Sequence, residues 1–301
     1  MNTRQLQYAI ELYNSLNFSA VAERLGISQP ALSKQIAALE SDLGVKLFDR
    51  NTTPITVTPA GEHFFCEAKK LLYEEDQLLR SMEEFKSGKR GSLSIGISPF
   101  RSLYLIPKIS KQLKEKFPDV KIVLHEQSSD ILRKETAEGK YDLAIVNLPV
   151  DEALLDVTPI EPDVLVLAVP KSLAKGLPFS DSDSLPTLKL GDCDKLPFIV
   201  LSKGQEMRTL FDKAVAFSNI EPVISAEVIG VSTAWAMCRE GVGATILPLQ
   251  FVKHIEKGDD LVLFKLERNF RSRQPAIVTK KGQYLSKYAK YAIELLTENL
   301  G

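Results

Sequence analysis

Residues 18–43, FSAVAERLGISQPALSKQIAALESDL, constrain this chain more than any other stretch. Val21, Ala22 and Leu25 fall on one face of a short helix, and the small Ala22 lets a second helix cross closely. Gly26 follows where the chain must turn, and a Cβ there is expected to clash. Ser28 suits the N-cap of the next helix, and Pro30 is tolerated in its first turn. Leu32, Ile36, Leu39 and Leu43 form one inward stripe. Gln29, Ala31, Ser33, Lys34 and Gln35 are left on outer or N-terminal positions. By spacing alone two readings are equal: a helical hairpin that merely packs, and a helix-turn-helix whose second helix enters a major groove. Residues 28–35 carry no acidic or bulky side chain, which favours the groove. Glu40 and Asp42 come later, beyond the expected contact.

After this pair, residues 44–58 read as two short extended pieces around a polar turn with Asn51, Thr52 and Thr53, as in a wing. Arg50 at its base is placed to reach a phosphate or the minor groove. A surface hairpin with a solvated arginine is the plain alternative. Charge gives no help. The whole chain of 301 residues has net charge −1. In residues 1–58, Arg4, Arg24, Lys34, Lys46 and Arg50 are balanced by Glu11, Glu23, Glu40, Asp42 and Asp49. A general nucleic-acid coat is therefore excluded, and only motif and placement point to DNA.

Residues 59–87 read as one long helix, with Thr58 as candidate N-cap and Pro59 at its first position. Phe64, Ala68, Leu71, Glu75, Leu78, Met82 and Phe85 recur in steps of four and three, flanked by Phe65, Leu72 and Leu79. One charge, Glu75, interrupts this seam. Self-pairing of two such helices is expected; an amphipathic helix packed on its own domain is the alternative. A polar break with Gly88 and Gly91 follows, a natural hinge.

From residue 92 strands alternate with helices: strand 92–98, helix 103–117, strand 120–126, helix 130–139, strand 141–148. Further strands are expected at 164–169, 198–201, 244–247 and 275–279, with a closing helix at 284–300. This alternation predicts a parallel α/β sheet. No apolar run approaches the length needed to span a bilayer. Residues 1–10 lack a basic region followed by an apolar run, so no secretory signal is expected. Cys66, Cys193 and Cys238 form neither a metal-ligand spacing nor a disulfide framework, which suggests a reducing compartment, the cytoplasm.

Several local patterns together are more specific than any one. Phe18-Ser19 with Ala22, the run 28–33 with Gln35 and Ile36, Leu39-Glu40, Leu43-Gly44, Leu47-Phe48 with Arg50, and Thr58-Pro59-Ala60-Gly61 match the LysR-type transcriptional regulators in order and spacing. The chain resembles that family over its whole length. The resemblance implies an α+β, multidomain architecture. A winged helix-turn-helix fills residues 1–58, and a dimerisation helix and hinge fill 59–91. The effector-sensing domain at 92–301 resembles type 2 periplasmic binding proteins, with one lobe at 92–161 and 267–301 and a second at 162–266. It further implies double-stranded, dyad-symmetric DNA as partner, a homodimer or homotetramer, RNA polymerase as a partner of an activator, and a small-molecule effector held between the lobes. DNA contacts are expected from Ser28, Gln29, Pro30, Ala31, Ser33, Lys34 and Arg50. The wing departs from the family pattern, with Asn51, Thr52 and Thr53 where further basic residues are common.

In the sensing half, Ser98, Phe100, Arg101 and Ser102 lie between the first strand and a helix, whose N-terminus favours an anion. The hydroxyls can hydrogen-bond to it and Arg101 can pair with a carboxylate; a structural loop with a solvated Arg101 is the alternative. Ser129 and Asn147 sit at strand ends, where ligands gather in open sheets. Ser202, Gln205, Ser232 and Thr233 occupy loops that resemble the family's ligand-facing ones. A small anionic metabolite is the expected effector. Gly241, Gly243 and Pro248 read as fold. His63, His125 and His254 have no nucleophile or metal-ligand pattern beside them, so no enzyme, metal or cofactor is expected. A solute-binding protein is disfavoured by the helix-turn-helix, and a peroxide sensor by the scattered cysteines.

Overall fold

Helix α1 (Thr3–Ser15) begins at a reciprocal cap: the Asn2 side chain accepts from Gln5 N at 2.9 Å, and the Gln5 side chain accepts from Asn2 N at 3.0 Å. Asn17 caps α2 (Phe18–Arg24) and Ser28 caps α3 (Gln29–Leu43). Between them Gly26 has φ +65, yet a Cβ built there meets nothing within 4 Å. The glycine is thus required by its backbone conformation and not by a clash, which corrects the expectation from sequence. Leu32, Ile36 and Leu39 are fully buried, packed with Ala9, Leu12 and Val21.

Strands β1 (Phe48–Asp49) and β2 (Thr56–Val57) pair antiparallel as the base of the wing. Helix α4 (Pro59–Ser87) follows at once. Thr58 ties the junction together: its hydroxyl donates to Lys46 O at 2.6 Å and accepts from Gly61 N at 3.0 Å. A Cβ on Gly61 would lie 2.3 Å from Leu47 O, so only glycine permits this approach.

This computed structural model describes residues 1–52, 54–87, 91–178, 185–255, 260–266 and 273–300, in two units, Met1–Gly88 and Lys89–Gly301. The hinge expected around Gly88 lies outside the described residues, as do Thr53 of the wing and the side chain of Phe85.

Among the described residues, the second unit holds three sheets, of five, four and two strands. In the first, β3 (Gly91–Ile97) lies between β4 (Val120–Glu126) and β5 (Leu143–Asn147) and is parallel to both. Helices α5 (Pro99–Lys116) and α6 (Ser129–Ala137) are the crossovers. β6 (Leu155–Pro159) forms the far edge. The second part of the chain contributes β7 (Leu165–Pro170), α7 (Lys171–Ala174), β8 (Thr187–Leu188), β9 (Pro197–Leu201), α8 (Glu206–Ser218), β10 (Val223–Val228), α9 (Val231–Arg239), β11 (Thr245–Pro248), α10 (Leu249–His254) and β12 (Leu261–Leu266). The chain then returns as β13 (Pro275–Lys280), between β5 and β6, and ends in α11 (Lys287–Leu300).

The five- and four-stranded sheets are mixed, not parallel throughout, while β9 and β10 pair in parallel. β13 runs antiparallel to β5 and β6, and β7 antiparallel to β11 and β12. Parallel neighbours need a crossover connection, which α5 and α6 supply to β3, β4 and β5. The strands β6, β8, β10 and β12 were not anticipated. β6 and β10 carry mostly exposed or half-buried side chains, so neither reads as an apolar run.

The core divides with the sheets. One apolar cluster draws on residues between Leu165 and Leu266, and two others on Leu93 to Ile160 and Ala276 to Leu296. Where the chain crosses between them, Asp163 and Arg273 form an antiparallel bridge, with Asp163 N donating to Arg273 O at 2.8 Å.

Candidate functional site

The first site is the outer face of α3 and the wing base. The Ser28 hydroxyl accepts from Ala31 N at 3.3 Å. Gln29, Pro30, Ala31, Lys34 and Gln35 are exposed, and Ser33 is half-buried. Arg50 reaches this face from β1's end. Its guanidinium donates to Ser33 Oγ at 3.1 Å and lies 5.1 Å from the centre of the Phe18 ring. Behind it Glu40 is 2% exposed. The Glu40 carboxylate accepts from Leu47 N at 2.9 Å and Phe48 N at 3.2 Å, and pairs with Lys46 at 3.1 Å and Arg50 at 3.5 Å. Sequence reading set Glu40 aside as lying past the groove contact. Its spacing from Arg50 was visible, but the chain turn that brings them together was not.

The seam of α4 divides in two. Ala68 is buried and Phe64 half-buried, and Phe64 packs on the core of its own unit. Leu71, Leu78 and Met82 are 49%, 59% and 50% exposed. Glu75, the charge within the seam, accepts from the Thr3 hydroxyl of α1 at 2.8 Å.

The second site lies at the crossing of the sensing half. Arg101, on the first turn of α5, is 1% exposed. It is not solvated. Its Nη2 donates to Asn147 Oδ1 at 2.7 Å and to Asp163 Oδ2 at 2.5 Å. Arg273 Nη2 donates to the same Asp163 oxygen at 2.8 Å. Phe100 lies 5.0 Å from the Arg101 guanidinium and 5.4 Å from that of Arg273, in cation–π contact with both. Glu206, at the start of α8, accepts from the Asn147 amide and stands 3.8 Å from Arg273 Nη1. Two buried guanidiniums thus share one buried carboxylate, with a second carboxylate at an exposed rim. Burial first, and the Arg101 charge next, lower the pKa of Arg273. Burial likewise pushes the Tyr104 phenol, on the same helix, up to about 12.

Among the described residues, three buried atoms around this cluster have no hydrogen-bond partner: Ser98 Oγ, Arg101 Nη1 and Arg273 Nε. Ser98 occupies the N-cap position of α5 but its side chain does not cap it. Buried polar atoms are almost always paired, so three orphans in one cluster call for an explanation.

The other expected residues fall into two groups. Asn147 belongs to the cluster, and Ser129 Oγ accepts from its backbone N–H at 3.3 Å. The Ser102 hydroxyl is engaged by Pro99 O at 2.8 Å and by Glu126. Ser202 and Gln205 donate to Val228 O at 3.4 Å and Ile229 O at 3.0 Å, while Ser232 and Thr233 are exposed on the first turn of α9. Among the described residues no hydrogen bond joins these last four to the arginines. Asp163, Arg273 and Glu206 were missed. Asp163 and Arg273 flank the expected lobe boundaries, and that was their one available signal.

Cys193 and Cys238 are buried, and burial raises both thiols to about 12. His254 donates through Nδ1 to Gln250 O at 2.7 Å, leaving Nε2 to accept from Lys108 at 2.8 Å. Among the described residues no group of acidic, histidine or cysteine side chains is arranged to hold a metal, and no helix is long and apolar enough to cross a membrane.

A wing and recognition helix on one unit, and sheets divided about a buried charged crossing on the other, define a ligand-responsive transcriptional regulator. Residues 3–62 match the family described as the bacterial regulatory helix-turn-helix protein, lysR family, and residues 86–301 match the LysR substrate binding domain. The chain belongs to the LysR family of transcriptional regulators. It is 32% identical to the uncharacterized HTH-type transcriptional regulator YcgK of Bacillus subtilis, over 100% of this chain and 95% of that one. It is 30% identical to the regulator AlsR of the same organism, over 82% and 80%. In fold it is similar to full-length CbnR complexed with its target DNA, with TM-score 0.64 at 22% identity over all of both chains. Full-length BenM gives TM-score 0.56 at 24% identity, over 99% of this chain and 96% of that one. The protein is therefore a DNA-binding regulator modulated by a small-molecule effector, and not an enzyme.

Proposed function

We propose that the effector is a small carboxylate bound at the start of α5, and that it alters how a dimer or tetramer of this chain engages a dyad-symmetric operator. The observation that carries this reading is the set of three orphaned buried atoms, Ser98 Oγ, Arg101 Nη1 and Arg273 Nε, beside two guanidiniums that have one fully buried counter-charge. Burying an excess positive charge is costly, and an entering anion offsets that cost while pairing the orphans. The helix N-terminus adds its dipole. Asn147 belongs to the cluster, Phe100, Ser102 and Ser129 border it, and Ser202, Gln205, Ser232 and Thr233 are assigned to the part of the effector away from its carboxylate.

On the DNA side, Gln29 and Ser33 read base edges while Lys34 and Arg50 hold phosphates; the exposure of Gln29, Lys34 and Arg50 beside the half-buried Ser33 supports this division. Self-association runs along Leu71, Leu78 and Met82, whose exposure leaves an apolar stripe without cover in the single chain. RNA polymerase is the further partner if the protein activates, and the cytoplasm is the proposed compartment, in keeping with a bacterial regulatory helix-turn-helix family.

Calorimetry of the full-length protein against a panel of small mono- and dicarboxylates, with neutral amide analogues as controls, tests the effector class. Binding of acids but not of their amides is expected. Equal binding of both, or of neither, overturns the anionic effector.

A further inference from the structure

We infer that Glu40 is the residue that positions Arg50 for DNA. A carboxylate on the inner side of a recognition helix is expensive unless its oxygens are fully engaged. Here one oxygen takes the backbone N–H groups of Leu47 and Phe48, which fixes the start of the wing. The other faces Lys46 and Arg50 at 3.1 and 3.5 Å. Lys46 remains open to solvent, with its side chain 72% exposed, whereas Arg50 is held at 38%. Arg50 is further restrained by Ser33 Oγ on α3 and by the ring of Phe18 at the start of α2. Glu40, Ser33 and Phe18 thus confine the guanidinium beside the exposed first turns of α3. A long side chain ordered before binding loses less freedom when it meets a phosphate. This inference rests on the reading of Arg50 as a phosphate contact.

Charge alone predicts the opposite sign. Removing a carboxylate near the DNA face lowers repulsion with phosphates and should tighten binding. Positioning predicts that neutralising Glu40 weakens it. Glu40→Gln separates the two, because its amide oxygen still accepts from Leu47 and Phe48 while the attraction to Arg50 is lost.

The experiment measures full-length protein by fluorescence anisotropy on a duplex enriched from a random pool by the wild type, in the cold and at several salt concentrations. Glu40→Gln is expected to bind about threefold to tenfold more weakly, and Glu40→Gln with Arg50→Ala to bind no more weakly than Arg50→Ala alone. Wild-type or tighter binding by Glu40→Gln, or additive losses in the double variant, overturns the inference. If Arg50→Ala itself leaves affinity unchanged, the phosphate reading fails and the positioning role with it. If only Glu40→Gln leaves it unchanged, the phosphate reading stands and Glu40 is structural. Should Glu40→Gln fail to fold, Glu40→Asp enters the same cycle, and coupling to Arg50→Ala is again the result expected, with additivity overturning it.

Discussion

Arg101 and Arg273 donate to one and the same oxygen, Oδ2 of Asp163, at 2.5 and 2.8 Å. A single buried carboxylate therefore holds together two positive charges brought in by the start of α5 and by the returning strand. Asp163→Asn keeps the shape and removes the charge. The variant is expected to lose stability by about 3–5 kcal/mol, as buried pairs do when one partner is neutralised. Acetate should restore more of the melting temperature in the variant than it adds to the wild type. Thermal unfolding with and without acetate checks both, and an unshifted melting temperature without anion would show that the shared oxygen carries little.

Ser98→Ala is the cleaner probe of the anion site. The hydroxyl has no partner among the described residues, so its removal should change folding stability by less than about 0.5 kcal/mol. Carboxylate affinity should fall by about 0.5–1.5 kcal/mol, the net worth of a typical hydrogen bond. Arg101→Ala should abolish binding and also destabilise, because it strips Asp163 of a counter-charge. Unchanged affinity in Ser98→Ala would move the ligand away from the helix start.

Replacing Leu71 and Leu78 with Glu should disperse the oligomer, since both charges would be buried between copies. Each side chain is about half exposed within one chain, 49% and 59%, so far-UV circular dichroism should remain that of the wild type. Sedimentation at micromolar concentration reads the outcome. A variant that still sediments as the wild type would place the interface elsewhere.

Gln29→Ala and Arg50→Ala should part company on specific and random DNA. The first should lower preference for the selected duplex by about 1–3 kcal/mol, the cost of a good base contact. The second should weaken every sequence alike and flatten the dependence on salt. Parallel losses from both would end the proposed division between base reading and phosphate holding.

Alkylation with iodoacetamide under native conditions at mild alkaline pH should label Cys66 alone. It is exposed, while burial raises Cys193 and Cys238 from 9.0 to about 12. Both folded values lie above the unfolded one, so the fold favours the neutral thiols. That contribution is whole below pH 9.0 and is lost as pH climbs toward 12. Mass spectrometry that finds a labelled Cys193 or Cys238 in folded protein would contradict their burial.

The local elements were legible wherever one short segment determined them. The stripe Leu32, Ile36 and Leu39 faces inward, Ser28 caps α3, and α4 spans Pro59–Ser87 as the sequence indicates. What escaped depends on partners distant in sequence. Arg101 was open to two readings until Asp163 and Arg273 gave it burial and company. Glu40 looked irrelevant until the turn after α3 brought Leu47, Phe48 and Arg50 back onto it. Gly26 was assigned the right residue for the wrong reason, because a positive φ and a steric clash leave the same mark in a sequence.

Gly61 sits so close to Leu47 O that not even a methyl group fits between them, and Thr58 bolts the same junction from the other side. The wing and the long helix consequently have no slack where they meet. In any assembly built along α4, the two wings act as the jaws of a caliper whose opening is set at the far end of its arms. A small change of angle between two such helices then becomes a displacement at the jaws that grows with distance from the pivot.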